Sequence, residues 1–72
     1  MTNVKLLKSK MALIGVSNFT TWLSETLEIS MSSASAKING EAPFKQSEIV
    51  ILTVKLGLTG DEVKEIFVDG VN

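Results

Sequence analysis

The sequence contains no histidine, no cysteine and no arginine, and its seven cationic side chains are all lysines. Without imidazole or thiolate groups, the chain lacks the commonest general base, the cysteine nucleophile and the ordinary ligands of zinc, haem and iron–sulfur clusters. Without guanidinium groups, it also lacks the bidentate clamp that proteins use for phosphate and carboxylate. We therefore expect no enzyme, no metal site, no cofactor and no small-molecule substrate.

Long apolar runs are missing as well. Met11–Val16 is the longest stretch without a polar side chain, whereas a membrane-spanning helix needs about 20 apolar residues. A secretory signal needs an apolar region of about 7–15 residues followed by a cleavage site of small residues, and the sequence has neither. Since the absence of cysteine also fits a reducing compartment, we expect a soluble, unprocessed cytoplasmic protein that does not contact a membrane.

The remaining composition describes one small, nearly neutral domain. The chain has 72 residues, of which 44% are hydrophobic, and it contains no repeat and no linker. We predict a single domain over residues 1–72, with a loose tail after about residue 68. The net charge is −1, whereas a domain that binds DNA mainly through its phosphates is expected to be clearly basic.

The spacing of apolar residues predicts five short helices. They run from about Asn3 to Ile14, from Ser17 or Asn18 to about Leu27, from Ser30 to Ile38, from Gln46 to Leu56, and from Thr59 onward. The inward-facing positions at helical spacing are Leu7, Met11, Ile14, Phe19, Leu23, Leu27, Ala34, Ile38, Ile49, Leu52, Thr53, Leu56, Val63, Ile66 and Phe67. The fifth helix is predicted to begin with a capping box, in which Thr59 and Glu62 bond each other's backbone N–H groups.

The fourth segment is the one whose composition also fits a strand, because residues 49–54 are rich in β-branched side chains. No second strand candidate exists elsewhere in the sequence, and a lone strand is not stable. Gly57 also stands where a glycine commonly ends a helix. We therefore predict a buried helix here, which makes the domain all-α. The second and third helices, joined by about three residues, are typical of a helix-turn-helix.

Three segments carry a resemblance to a known family: Leu27–Ser30, Ser35–Gly40 and Pro43–Ile49. Over roughly residues 17–68, the chain resembles small Cro-like and repressor-like helix-turn-helix regulators of temperate phages. The resemblance implies an all-α, lambda-repressor-like bundle in which helices 2 and 3 form the helix-turn-helix. In length and overall sequence, the chain is most similar to the modulator-of-repression (antirepressor) proteins of phages that infect lactic-acid bacteria.

This resemblance implies a transcriptional regulator of the lysis–lysogeny switch in the cytoplasm of the bacterial host. Such an antirepressor binds the N-terminal DNA-binding domain of the phage repressor. The alternative that the same family offers is a Cro-like repressor that contacts operator DNA directly, alone or jointly with the repressor.

The chain departs from the family pattern at three places. Glu28 replaces the glycine that usually occupies the turn, where a left-handed backbone is favoured. Ser24 replaces the alanine that usually lies where the two helices approach closely. Residues 20–21 and 31–32 replace the glutamines that often begin the two helices and reach phosphates and base edges. We expect the fold to tolerate these departures, whereas contacts with DNA would be weakened by them.

The third helix is the main candidate for a binding surface. A DNA-reading helix carries arginine, lysine, glutamine or asparagine at its exposed N-terminal positions, whereas Lys37 is the only charged residue of this one. The residues that we expect to contact a protein partner are Met31, Ser32, Ser33, Ser35, Ala36 and Trp22. A DNA contact would instead use Thr20, Thr21, Ser32, Ser33 and Lys37. The surface could also be inert.

Two residues have open alternatives. Met31 either adapts to a partner surface through its unbranched thioether or packs locally near Ile29 as a hydrophobic staple. Trp22 lies at the margin of the inward-facing stripe of the second helix. It is therefore either a core residue or, if partly exposed, an anchor of the interface.

Overall fold

Residues 2–68 fold into five short helices. The computed structural model describes residues 2–68, so the predicted loose tail lies outside the described range. The helices are α1 (Val4–Leu13), α2 (Phe19–Leu27), α3 (Met31–Ile38), α4 (Gln46–Leu56) and α5 (Gly60–Val63), and α5 continues as a π-helical turn (Lys64–Val68). No strand occurs within the described range, so the predicted all-α bundle of about five short helices is confirmed. None of the helices in this range has the length and hydrophobicity needed to cross a bilayer.

Polar side chains determine where most of the helices begin. At four helix starts a side-chain oxygen accepts a hydrogen bond from a backbone N–H three residues later; the capping residues are Asn3, Asn18, Ser30 and Thr59. Of the two predicted caps for α2, Asn18 is therefore the one used. The predicted capping box of α5 is also present, because Glu62 accepts a bond of 2.8 Å from the N–H of Thr59. Each such cap is worth about 1 kcal/mol.

The ambiguous fourth segment is a helix. It ends at Gly57, whose φ of 63° lies in the left-handed region that favours glycine, and the N–H of Leu58 closes the end on the carbonyl of Thr53 at 3.0 Å. The prediction that this helix is buried holds for one face only. Val50 and Val54, one turn apart, are 54% and 75% exposed, because the core covers only the side of α4 that carries Leu52 and Leu56.

The core gathers one apolar face from each long helix and the π-helical turn. Its fully buried large side chains are Leu7, Met11, Leu23, Leu52 and Ile66. Phe19, Val63 and Phe67 are partly buried and pack against this core, as predicted from their spacing. The prediction for Ile14 is wrong. Ile14 is 50% exposed because α1 ends at Leu13, so the backbone leaves helical geometry before the stripe reaches that position.

A buried ion pair joins α3 to α4. The ammonium group of Lys37 donates a hydrogen bond of 2.8 Å to the carbonyl of Pro43 and lies 3.1 Å from the Glu48 carboxylate. It also lies 5.6 Å from the centre of the Phe44 ring, which in turn packs edge-to-face on Phe67 at 5.5 Å. Both charged residues are buried, and each is compensated by its partner and by hydrogen bonds.

A second ion pair joins α1 to α5. The ammonium group of Lys10 donates to the carboxylate of Glu62, whose other oxygen accepts the N–H of Thr59 in the capping box. The hydrogen bond from Lys10 and, next, that from Thr59 lower the pKa of Glu62 below its ordinary value. The carboxylate is therefore favoured in its charged form in the folded protein.

Replacing Lys37 by methionine is expected to lower the free energy of unfolding by about 3 kcal/mol, because the substitution leaves the Glu48 carboxylate buried without a counter-charge. The Glu48 carboxylate also accepts the N–H of Lys45 at 2.8 Å. Lys37→Met combined with Glu48→Gln should be more stable than Lys37→Met alone, since the amide oxygen can still accept that N–H. Urea denaturation measures both, and Lys55→Met, at an exposed lysine of α4, is the matched control. A Lys37→Met protein as stable as the wild type would contradict this role.

The free energy of unfolding should depend on the protonation of Glu62. A carboxyl whose pKa is lowered by folding stabilises the folded state above its unfolded pKa, and this contribution is lost as the pH falls through the folded pKa. We therefore expect the wild type to lose stability between about pH 5 and about pH 2 more steeply than Glu62→Gln does. Glu65→Gln is the control, and its free energy of unfolding should fall with pH as steeply as that of the wild type. An equally steep fall for the wild type and for Glu62→Gln would refute the role of the Glu62 carboxylate in stability.

Candidate functional site

The connection between α2 and α3 consists of three residues, and its geometry is set by Glu28. This residue adopts φ 56° and ψ 48°, and it is the only non-glycine residue with positive φ within residues 2–68. Such a left-handed conformation costs a residue with a Cβ atom about 1–2 kcal/mol. The turn thus has a backbone that glycine would adopt easily, and it reaches that backbone with a glutamate.

Ser24 holds this turn in place from the last part of α2. Its carbonyl accepts the N–H of Ile29 at 3.0 Å, and its hydroxyl donates to the carbonyl of Ile29 at 2.7 Å. Ile29 is therefore bound at both backbone groups by one residue, and its side chain packs against the core. An alanine at position 24 could make only the first of these bonds. The Ser24 hydroxyl thus restrains the backbone of the residue that directly follows the strained Glu28.

The five predicted contact residues of α3 differ in exposure. Met31 is 52% exposed, and Ser32 and Ser33 are exposed beside it at the start of the helix, whereas Ser35 and Ala36 are half-buried. The hydroxyl of Ser33 accepts a bond of 3.0 Å from the Ser30 hydroxyl, so it already has an internal partner. The surface at the start of α3 is therefore small, weakly polar and without charge.

The residues predicted for a DNA contact do not form one exposed group. Ser32 and Ser33 lie at the start of α3, whereas Thr20 and Thr21 are half-buried on the first turn of α2. Lys37 differs from the other four, because its side chain is buried and its ammonium group is bound to Pro43 and Glu48 within the fold. The sequence position on a surface helix suggested an exposed cation, but position 37 lies on the inward side together with Ala34 and Ile38.

Trp22 has features of both alternatives, a core residue and a partly exposed anchor of an interface. Its side chain is partly buried and packs against the core, yet it also lines a shallow surface groove beside α2. Met31 is exposed as an interface residue would be. For both residues, contact with a partner stays a prediction.

The sequence reasoning missed Asn39, which is exposed at the end of α3. Side chains three or four positions apart share one face of a helix, and the face that starts at Ser32 continues through Ser35 or Ala36 to Asn39. This face of α3 therefore ends in an amide. Counting this spacing from Ser32 would have found Asn39, which was treated only as part of the helix stop. Its amide donates to the hydroxyl of Ser35 at 3.4 Å.

The charge on the helix-pair surface, defined here as the solvent-reaching side chains of residues 18–39, is negative. The chain has no cationic side chain between Lys10 and Lys37, and Lys37 is buried. The charged groups that remain on this surface are the exposed carboxylates of Glu25 and Glu28. Within the described range, no three acidic side chains are grouped closely enough to hold a metal ion. The chemistry that this surface offers is therefore packing, hydroxyl hydrogen bonds and attraction of positive charge.

Comparison with known protein families identifies the family of the chain. A family model described as the BetR domain matches residues 2–64, a range that includes all five α-helices described above. No curated protein and no solved structure matches the chain.

Substitutions at Glu28 and Ser24, the two residues that shape the turn between α2 and α3, should change the free energy of unfolding in opposite directions. Glu28→Gly should raise the free energy of unfolding by about 0.5–1 kcal/mol, since glycine adopts a left-handed backbone without strain but loses more chain entropy. Ser24→Ala should lower it by about 1 kcal/mol through loss of the bond to the Ile29 carbonyl. Chemical denaturation measures both changes.

Ser9→Ala is the control for this pair, because Ser9 is an exposed serine within α1. Alanine favours helix, so this variant should be unchanged or slightly more stable. If Ser24→Ala behaved like Ser9→Ala, the hydroxyl of Ser24 would have no role in holding the turn.

Proposed function

Since the chain belongs to the BetR domain family, a phage-associated family of modulators of repression, we propose that it acts as an antirepressor in the lysis–lysogeny switch. In this proposal, the chain binds the N-terminal DNA-binding domain of the phage repressor. The binding covers the surface with which the repressor reads its operator. The family is a regulatory one and is not known for catalysis.

The proposal treats α2, the turn and α3 as a helix-turn-helix of the lambda-repressor kind. Two short helices joined by three residues support it, as does the left-handed residue at the turn. In this arrangement α3 takes the position of the recognition helix. Its outward side chains then become the centre of the contact with the partner.

The observation that carries the proposal is the absence of an exposed cation from the helix-pair surface. Binding to the phosphates of DNA depends on lysine and arginine, which release counterions from the duplex. Here the one lysine of α3 is bound to Pro43 and Glu48, and the exposed charges are Glu25 and Glu28. Such a surface repels phosphate and attracts a basic protein surface. A DNA-reading surface of a repressor is basic for the same reason.

The contact that we propose is centred on the start of α3. Its residues are Met31, Ser32, Ser33, Ser35 and Ala36, with Trp22 at the edge. Small side chains let a partner approach the helix closely, and the exposed thioether of Met31 can adapt to an irregular surface. A specific complex of this kind buries roughly 1,200 Å² or more in total.

The alternative is direct binding to operator DNA, by the chain alone or together with the repressor. The observation that favours it is the position of Ser32 and Ser33, whose hydroxyls lie exposed at the start of α3. Backbone N–H groups at a helix N-terminus can hold a phosphate without any cationic side chain. This alternative requires the chain to bind DNA against the charge of Glu25 and Glu28.

The two functions predict opposite effects of one substitution, Ser32→Arg. On a surface that packs against a basic repressor domain, the arginine should weaken binding by at least about tenfold through steric conflict and like-charge repulsion. On a surface that contacts DNA, the added cation should strengthen binding to the operator. Isothermal titration with the repressor domain encoded beside this chain, and gel shift with the operator, measure the two effects.

Ser47→Arg is the matched control, since Ser47 is also an exposed serine at the second position of a helix, on α4. It should bind the repressor domain as the wild type does. The antirepressor proposal fails if the wild-type chain forms no complex with the repressor domain. It also fails if Ser32→Arg and Ser47→Arg bind that domain equally well.

A further inference from the structure

A shallow groove lies beside the first two turns of α2 and shares Trp22 with the edge of the contact surface centred on α3. It has a volume of about 180 Å³ and is lined by Val16, Ser17, Asn18, Thr21, Trp22 and Glu25. Pockets for small molecules usually measure about 300–1,000 Å³. The groove is therefore the size of a binding site for one large side chain.

Two of the lining residues favour a positively charged occupant. Trp22 and Glu25 are three positions apart on α2, so they lie on the same side of the helix. The indole ring is the best aromatic partner for a cation. The carboxylate of Glu25 is exposed and can pair with the same cation. An aromatic surface next to a carboxylate suits the flat guanidinium group, which stacks and donates hydrogen bonds at once.

The dipole of α2 opposes the binding of a cation in this groove, and its charge can be compared with that of Glu25. The groove lies near the N-terminus of α2, where the helix dipole places roughly half a positive charge. One of the N–H groups there, that of Thr21, already donates to the Asn18 side chain at 3.0 Å. Glu25 carries a full negative charge, and no lysine occurs anywhere in residues 11–36. Among the residues that line the groove, Glu25 is therefore the only one with a full charge, and that charge attracts a cation.

We propose that this groove binds an arginine side chain presented by the protein partner. The proposal rests on the antirepressor function for the identity of that partner, because a repressor's DNA-reading surface supplies cationic side chains. The groove then holds the partner at a second point, apart from the uncharged contact at α3. Glu25 gives this point its charge and Trp22 gives it its stacking surface.

Trp22 is the only tryptophan of the chain, so a fluorotryptophan label gives a single signal, from a residue that lines the groove. Fluorine NMR of the labelled chain can follow titration with a capped tri-arginine peptide, with its uncharged citrulline counterpart, and with the repressor domain. We expect a saturable shift with the arginine peptide and none with the citrulline peptide. Glu25→Gln should weaken binding of the arginine peptide and of the repressor domain by about twofold to fivefold, the range expected for loss of an exposed ion pair.

Glu41→Gln is the control, because it removes one exposed carboxylate in the loop before α4. It should bind both probes as the wild type does. The groove assignment is overturned if the arginine and citrulline peptides act alike, or if Glu25→Gln and Glu41→Gln bind the repressor domain equally. If the arginine peptide shifts the signal while the repressor domain does not bind at all, the groove assignment stands and the antirepressor function fails.

Discussion

The ammonium group of Lys37 lies between the carbonyl of Pro43, the carboxylate of Glu48 and the ring of Phe44, and the rest of the account depends on this arrangement. It joins α3 to the loop and to α4, so it fixes the only long polar side chain of α3 on the inward side. It also removes the one cation that α3 could have offered to a phosphate. The same contact therefore stabilises the fold and decides the charge of the surface.

The turn between α2 and α3 combines a residue in a strained conformation with a residue that holds the turn in place. Glu28 adopts a left-handed backbone that favours glycine, and Ser24 binds both backbone groups of the next residue, Ile29. The two helices consequently keep a short, defined connection although a glutamate, not a glycine, occupies the left-handed position. Glu28 also adds a second carboxylate to a surface that otherwise carries only Glu25. A change that costs backbone energy thus also makes the surface less suited to DNA.

The sequence predicts the helices well because their signals are local. Caps at Asn18 and Ser30, the box at Thr59 and the stop at Gly57 depend on residues within one turn of each other. The candidate site is predictable only in part, because exposure depends on what packs from elsewhere. The burial of Lys37 requires Glu48 and Pro43, which belong to the next helix and loop, and no spacing within α3 reveals them. The groove at Trp22 likewise combines α2 with the segment before it.

We propose that the negatively charged surface of α2 and α3, which has no exposed cation, binds a protein and not DNA. Chemical-shift mapping of the nitrogen-labelled chain tests it most directly, with the repressor domain and the operator added in separate titrations at physiological salt. The account predicts that the repressor domain shifts the amide signals of residues 16–39 and leaves those of α1 and α5 unchanged, while operator DNA alone has little effect. Operator DNA that shifts the signals at the start of α3, with no change on adding the repressor domain, would contradict it.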